Sequence, residues 1–291
     1  MRTFRAREAR LAYILLIPSL MIILGIVIFP LLYNVWLSFH DVTLDNLGDQ
    51  APFAGIGNYA KVLGDVQFVQ SLVVTLVYSV SGVILSLIIG LAAALLLNRP
   101  FRGRALARGI FLFPYVAPAV SLAFIWKWML NPVYGVGNWT LVETGIIQHT
   151  IAWLSVEPLA LFTVILFEGW RYFPFDMLFI LARLQAIPHE LYEAADVDGA
   201  GARQKFLYIT LPELKYILAA LFLLRFIWTV NKFDDIFLLT GGAAGTKVLP
   251  LLIYDYSFRT YDFGMGAAIS MLLFFFLLLS MATYVKKVIN W

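Results

Sequence analysis

The chain has 291 residues, of which 62% are hydrophobic and 13% charged, where a soluble domain carries about a quarter charged residues. That composition excludes an ordinary soluble domain, and the absence of cysteine excludes a disulfide framework and a thiolate metal centre. The net charge is +3, so the placement of the charges is more informative than their sum.

A helix needs about 20 apolar residues to cross a bilayer. Six segments qualify: 11–37, 71–97, 109–130, 159–181, 213–230 and 264–285. The first is too long for the apolar core of a signal peptide and has no small-residue cleavage site, so it counts as a span. The expected fold is therefore an all-α integral membrane protein with about six transmembrane helices. Residues 1–10 form a short N-terminal segment and residues 11–291 one transmembrane domain, with outer loops at 40–70 and 131–157.

Basic residues set the direction of insertion. Arg2, Arg5, Arg7 and Arg10 precede the first segment, and Arg99, Arg102, Arg104 and Arg108 separate the second from the third. Arg183, Arg203, Lys205 and Lys215 surround the loop before the fifth, and Lys286 and Lys287 follow the sixth. These are 14 of the 21 Lys and Arg, whereas the opposite loops hold only Lys61, Lys247 and Arg259. Both termini are expected to be cytoplasmic.

Ionisable residues inside spans are costly and point to a pathway or a buried ion pair. In the fourth segment Glu168, Arg171, Tyr172 and Phe175 recur at helical spacing on one face. In the fifth, Arg225, Trp228, Thr229 and Lys232 do the same. Rings beside polar groups suit sugar recognition, with stacking on the apolar ring face and hydrogen bonds to hydroxyls. The cations Arg171, Arg225 and Lys232 fit an anionic sugar. Neutralised by Glu168, Asp176, Asp234 and Asp235, they leave a site for a neutral oligosaccharide, which is the preferred reading, with the anionic sugar as its alternative.

Between the fourth and fifth segments lies the polar stretch YEAADVDGAGARQKFLYITLPEL, residues 192–214. Pro188 suits the start of a short helix over 190–198, Gly199 and Gly201 a bend, and 203–208 a second short helix. Thr210 and Glu213 have the spacing of a capping box at the start of the fifth span, with Pro212 in its first turn. The stretch reads as a helix-turn-helix at the membrane surface, rigidly tied to the next span, or as a polar loop that only separates two helices. Acidic residues outnumber basic ones in it, which argues against nucleic acid as a partner.

Other motifs carry no chemistry. GGAAGTK at 241–247 misses phosphate-loop spacing, because Thr246 separates glycine from lysine. His40, His149 and His189 form no metal-ligand pattern. Neither a nucleophile–base pair nor a metal cluster stands in a shared span, so no catalytic residue and no metal is expected. Asn138-Trp139-Thr140 formally fits a glycosylation acceptor, which would carry no meaning were the chain a bacterial inner-membrane protein.

Glu-Ala-Ala at 193–195, Asp198-Gly199-Ala200, Phe206, Ile209 and Leu211-Pro212 resemble the EAA loop of binding-protein-dependent ABC importer permeases. FAGIGNYAKVL (53–63), LFPYVAPA (112–119), IPHELYEAA (187–195), LLTGG (238–242) and DFGMGAAIS (262–270) resemble the sugar-importing branch, so that the likeness covers nearly the whole chain. It is similar to the maltose-type first permease subunit, without the extra N-terminal spans of the longest members.

The resemblance implies that the loop at 184–212 is a coupling helix seated in a groove of a cytoplasmic ATP-hydrolysing subunit. Glu193, Ala194, Ala195, Asp198, Gly199 and Ala200 would dock there, with Glu193 opposite a basic residue. It also implies solute contact at Arg171, Tyr172, Phe175, Arg225, Trp228, Thr229 and Lys232. These residues are more cationic than the maltose pattern, which argues against maltose itself but not against the location, and a neutral oligosaccharide is expected ahead of a sulfonated or phosphorylated one. The implied partners are a homologous second permease, two ATP-binding-cassette subunits that hold ATP and Mg, and a periplasmic or lipid-anchored solute-binding protein. An ion-coupled secondary transporter is the reading from another class, with the intramembrane carboxylates as coupling groups, but such a carrier has no use for an EAA loop.

Overall fold

The computed structural model describes residues 13–46 and 51–289. The expected N-terminal segment 1–10, with its four arginines, and part of the expected outer loop 40–70 lie outside the described residues. Among those described, the regular structure is helical and the β contacts are two isolated bridges, His40 to Phe53 and Thr43 to Asp262. The all-α expectation is met. In chain order the helices are α1 (Tyr13–Ser38), α2 (Gly57–Gly64), α3 (Val66–Asn98), α4 (Arg104–Val116), α5 (Ala119–Met129), α6 (Val136–Glu143), α7 (Leu159–Gln185), α8 (His189–Val197), α9 (Ala202–Val230), α10 (Asp234–Leu239), α11 (Leu249–Tyr254) and α12 (Phe263–Tyr284).

By length and composition α1, α3, α9 and α12, which runs on to Lys287, are each fit to cross a membrane. The segment expected as one continuous third span is instead broken. Helices α4 and α5 meet at an angle of 94°. The cause is local: Pro118 has no N–H to continue the ladder, and it forces Ala117 before it into an extended conformation (φ −67°, ψ 145°). The fourth segment is helix α7, whose 27 residues span roughly 40 Å. Glu168, Arg171 and Asp176 lower its hydropathy, and all three are buried.

The chain divides into two compact units. One takes in the chain up to Phe68 together with Ile253–Phe275. Here α1 buries none of its most apolar stretch within the chain, as suits a helix surrounded by lipid. Beyond it, buried Asn58 donates from Nδ2 to Ser38 O (3.1 Å) and His40 O (2.9 Å). The Phe263 and Gly264 N–H groups both reach Val42 O, at 2.9 and 3.2 Å. Only glycine fits at 264, where a Cβ would stand 2.5 Å from His40 O.

The other unit comprises Val69–Leu252 and the chain from Phe276. One apolar cluster joins Leu97, Met177, Ile180 and Leu214 from α3, α7 and α9. A second joins Tyr78, Leu122, Phe167, Ile236 and Leu251. Small residues let α3 and α7 approach closely, as helices in lipid do. A Cβ at Gly82 would stand 2.7 Å from Glu168 Cγ, and one at Gly90 would stand 3.0 Å from Phe173 O. This approach carries the charged stretch of α7 into the centre of the unit.

The loop before the fifth span differs from expectation at one end. Helix α8 starts after Pro188 and stops at Gly199, whose φ of +74° favours glycine. The expected second short helix, 203–208, is the first part of α9, continuous with the span. Thr210 has helical angles and makes no cap bond, so the expected Thr210–Glu213 capping box is absent. The N-terminus of α9 is at Gly201, whose N–H donates to Gln204 Oε1 at 2.8 Å. A π turn at Phe206–Thr210 lies just before Pro212 and absorbs the hydrogen bond that proline cannot make.

Candidate functional site

The charged faces of α7 and α9 meet in a buried network. Glu168 accepts three bonds, from Arg225 Nη2 (2.6 Å), Thr229 Oγ1 (3.0 Å) and Tyr78 OH (2.9 Å). Both Arg225 and Glu168 are essentially inaccessible, with side chains 1% and 0% exposed. Arg171 pairs through Nη1 with Asp235 on α10, and the Asp235 Oδ2 accepts from Tyr172 OH at 3.2 Å. A third carboxylate, Asp176, accepts from Ser86 Oγ on α3.

Tyr172 is the hub. The Arg225 guanidinium carbon lies 4.2 Å from its ring centroid, Lys232 Nζ 4.4 Å and the Arg171 carbon 5.0 Å. Lys232 Nζ also donates to the Tyr172 hydroxyl at 2.6 Å. Three cations around one ring is an electrostatically crowded arrangement. The ring's negative faces offset part of that repulsion and the carboxylates of Glu168 and Asp235 offset more.

Next to this network is a partly open aromatic face. Phe175 contacts Trp228 with ring centroids 5.3 Å apart, and Tyr115 of α4 lies 5.8 Å from Phe175. Trp228 is 43% exposed and Tyr115 38%. Of the seven residues expected along the solute path, the structure buries Arg171, Tyr172, Arg225 and Thr229 and leaves Phe175, Trp228 and Lys232 at least partly accessible. Of the expected neutralising acids, Glu168 and Asp235 take the two arginines, whereas Asp234 is exposed and Asp176 is bonded to a serine. Sequence reasoning missed Tyr78 and Ser86, both on the apolar span α3. Their signal was a polar side chain at each of two positions eight residues apart, which puts them on one helix face.

The six expected coupling residues lie together at the C-terminal end of α8 and the turn after it. Glu193, Ala194, Asp198 and Gly199 are exposed, whereas Ala195 and Ala200 are half-buried and joined by the bond from Ala200 N–H to Ala195 O (2.8 Å). Beside them Val197 is 88% exposed, an apolar side chain with no cover within the chain. Two contacts fasten this element to α9, Lys205 to Asp196 at 2.5 Å and Tyr192 OH to Thr210 Oγ1 at 3.0 Å, and Arg183 of α7 pairs with Glu213 of α9 at 2.5 Å.

The expected decoys are structural. Asn138 is buried, donates to Ile151 O at 3.0 Å and accepts from Ile151 N–H at 2.9 Å and Trp153 Nε1 at 3.1 Å. In GGAAGTK, Gly241, Gly242 and Gly245 all have positive φ, and the Thr240 and Thr246 hydroxyls lie 2.6 Å apart across a tight turn. Among the described residues no group of His, Cys, Asp and Glu could hold a metal ion.

The chain is a multi-helix membrane protein with a buried charge network in its spans and a surface helix fastened to one of them, and the family it matches is that of a transport component. The chain belongs to the family described as the binding-protein-dependent transport system inner membrane component, whose model matches residues 82–290. It is 39% identical to the trehalose/maltose transport system permease protein of Thermococcus litoralis, over 96% of this chain and 94% of that protein. It is 33% identical to the trehalose transport system permease protein of Mycobacterium tuberculosis, over 93% of this chain and 86% of that one. Its fold is similar to a chain of a bacterial alginate ABC transporter crystallised with an alginate pentasaccharide-bound periplasmic protein. That likeness has a TM-score of 0.83 at 21% identity and covers 98% of this chain and 96% of the other.

Proposed function

We propose that this chain is a permease subunit of an ATP-driven, binding-protein-dependent importer of a neutral oligosaccharide. The observation that carries the neutral assignment is the pairing of Arg171 with Asp235 and of Arg225 with Glu168, in sites that leave neither guanidinium open to a solute. The accessible Trp228, Phe175 and Tyr115 rings offer apolar faces to a pyranose, and Lys232 offers one hydrogen-bond donor beside them. The names of the relatives, trehalose and trehalose/maltose permeases, support the same choice. The part-exposed Lys232 favours the second reading, an anionic sugar carried by the same machinery.

Both termini and the α8 turn face the cytoplasm in this reading. Glu193, Ala194, Ala195, Asp198, Gly199 and Ala200 dock in one of two ATP-binding-cassette subunits, which hold ATP and Mg. A homologous second permease encloses the path, and a periplasmic or lipid-anchored solute-binding protein delivers the sugar outside. Closure of the ATPase pair moves α8, and its fastening to α9, which is itself paired to α7 through Arg183 and Glu213, passes that movement to the charge network. Access alternates between the two sides as a two-state equilibrium biased by nucleotide.

The test is ATP hydrolysis by the assembled transporter in liposomes, with its binding protein and either a neutral disaccharide or an anionic monosaccharide. Stimulation by the neutral sugar alone is expected. Stimulation by the anion alone would transfer the assignment to the second reading. Uptake that collapses with an ionophore and ignores ATP would replace both with an ion-coupled carrier.

A further inference from the structure

The turn from α3 to α4 gathers positive charge that no carboxylate among the described residues pairs with. Arg99 and Arg102 are exposed, whereas Arg104 and Arg108 are half-buried and one helical turn apart, so their guanidiniums share a face. Both converge on the Gln185 carboxamide at the end of α7, whose oxygen, with the amide oriented to accept, lies 3.0 Å from Arg104 Nη2 and 3.3 Å from Arg108 Nη2. The Nε atoms of Arg104 and Arg108 are buried without a hydrogen-bond partner. Among the described residues no carboxylate lies within ion-pair distance of these four arginines, and the nearby Glu213 is taken by Arg183. A neutral amide is a poor counterpart for two guanidiniums, which form their strongest bonds with oxyanions.

The surface beside the cluster is apolar. Leu106, Ile110 and Phe113 recur at helical spacing on α4 and are 71%, 60% and 59% exposed, with Phe101 next to the arginines also exposed. The cluster stands at the end of a membrane-crossing helix, so the arginines lie at headgroup depth and the strip continues along α4.

We propose that Arg104 and Arg108 bind the phosphate of an anionic phospholipid, whose acyl chain lies along Leu106, Ile110 and Phe113. The phosphate oxygens replace the neutral Gln185 amide as partners of the terminal guanidinium donors, and Arg99 and Arg102 add attraction for the headgroup. The apolar strip separates this lipid site from a site for a free anion or an acidic peptide, which would gain nothing from it.

Native mass spectrometry of the full chain in detergent, titrated with equal amounts of phosphatidylglycerol and phosphatidylcholine, tests the proposal. Phosphatidylglycerol adducts are expected to dominate, with the preference falling about fivefold for each arginine removed in Arg104→Gln and Arg108→Gln. Lys61→Gln, on an exposed face of α2, keeps the preference. If the double variant fails to fold, the two single variants give the same reading. Equal binding of the two lipids, or a preference untouched by the substitutions, would overturn the proposal. Displacement of phosphatidylglycerol by inorganic phosphate would assign the cluster to a free anion, and loss of the preference on adding the ATPase subunit would assign it to a protein contact. Either result would leave the importer reading intact and sink the lipid site.

Discussion

Glu168 Oε1 stands 2.6 Å from Arg225 Nη2, and neither side chain is more than 1% exposed. The pair joins α7 to α9, the helix that runs unbroken from the surface element to this point. Removing one partner strands a buried charge without its direct ion-pair partner. Glu168→Gln is therefore expected to destabilise the chain by roughly 3–5 kcal/mol, and Arg225→Met by a similar amount. The double variant removes both charges and is expected to recover most of the loss. Thermal melting of the four proteins in detergent checks this, and simple additivity of the two single losses would show that the pair is not coupled.

The approach of α3 to α7 rests on Gly90 and its neighbours. A Cβ there would stand 2.9 Å from Asp176 Cβ and 3.0 Å from both Met177 N and Phe173 O, and backbone cannot step aside as a side chain tip can. Gly90→Ala is expected to cost about 1–3 kcal/mol and to loosen the Ser86–Asp176 contact. Gly109, with nothing within 4 Å of its Cβ position, gives the control: Gly109→Ala is expected to be neutral or slightly stabilising. Equal melting points for the two variants would mean that the close approach is not sustained in detergent.

Helix existence was legible in the sequence, because a run of apolar residues long enough to cross a bilayer has few other solutions. The charge network was half legible. Spacing put Arg171 and Arg225 on the right faces, but which acid each one takes depends on how α7, α9 and α10 meet, and periodicity carries no information on that. Asp234 and Asp235 are adjacent in sequence, yet one is exposed and the other fully buried beside Arg171. Thr210 misled for a related reason. Its spacing to Glu213 was right for a cap, but Pro212 can also follow a π turn inside a continuous helix, and Glu213 found Arg183 instead. The break at Pro118 was readable in hindsight from the proline alone.

Tyr256 gives a pH-dependent prediction outside the membrane-spanning helices. Burial, and then its 2.6 Å hydrogen bond to Asp65 Oδ2, push its phenol up to about 12. A raised folded value means that the structure favours the protonated phenol. The stabilisation is complete below the unfolded value of about 10 and is lost as pH rises from there through about 12. Ultraviolet titration comparing the wild type with Tyr256→Phe is expected to show one phenol fewer in the late-ionising group. A variant curve that differs from the wild type only near pH 10 would contradict the Asp65 contact.

Charge reversal at Glu193 tests the coupling assignment. The side chain is exposed on α8 and makes no side-chain bond within the chain among the described residues, so Glu193→Lys is expected to change stability by about 0.5 kcal/mol or less. Across a docked interface the same change puts like charges together, and uptake is expected to fall at least about tenfold. Normal uptake by a variant that still assembles with its ATPase would remove Glu193 from the interface.

Trp228 and Lys232 are the members of the proposed solute face that can be changed without opening the ion pairs beneath them. Trp228 is 43% exposed and touches Phe175, whereas Lys232 reaches the Tyr172 ring and hydroxyl. Loss of a stacking ring in Trp228→Ala is expected to raise the half-saturating sugar concentration for uptake by roughly tenfold, with little change in melting temperature. Lys232→Met keeps the length of the side chain and removes its charge. For a neutral sugar it removes one hydrogen bond and costs about fivefold. For an anionic sugar it removes an accessible cation beside the rings and is expected to abolish selective uptake. Measuring both variants with both sugar classes separates the two readings, because Trp228→Ala weakens either sugar and Lys232→Met discriminates between them.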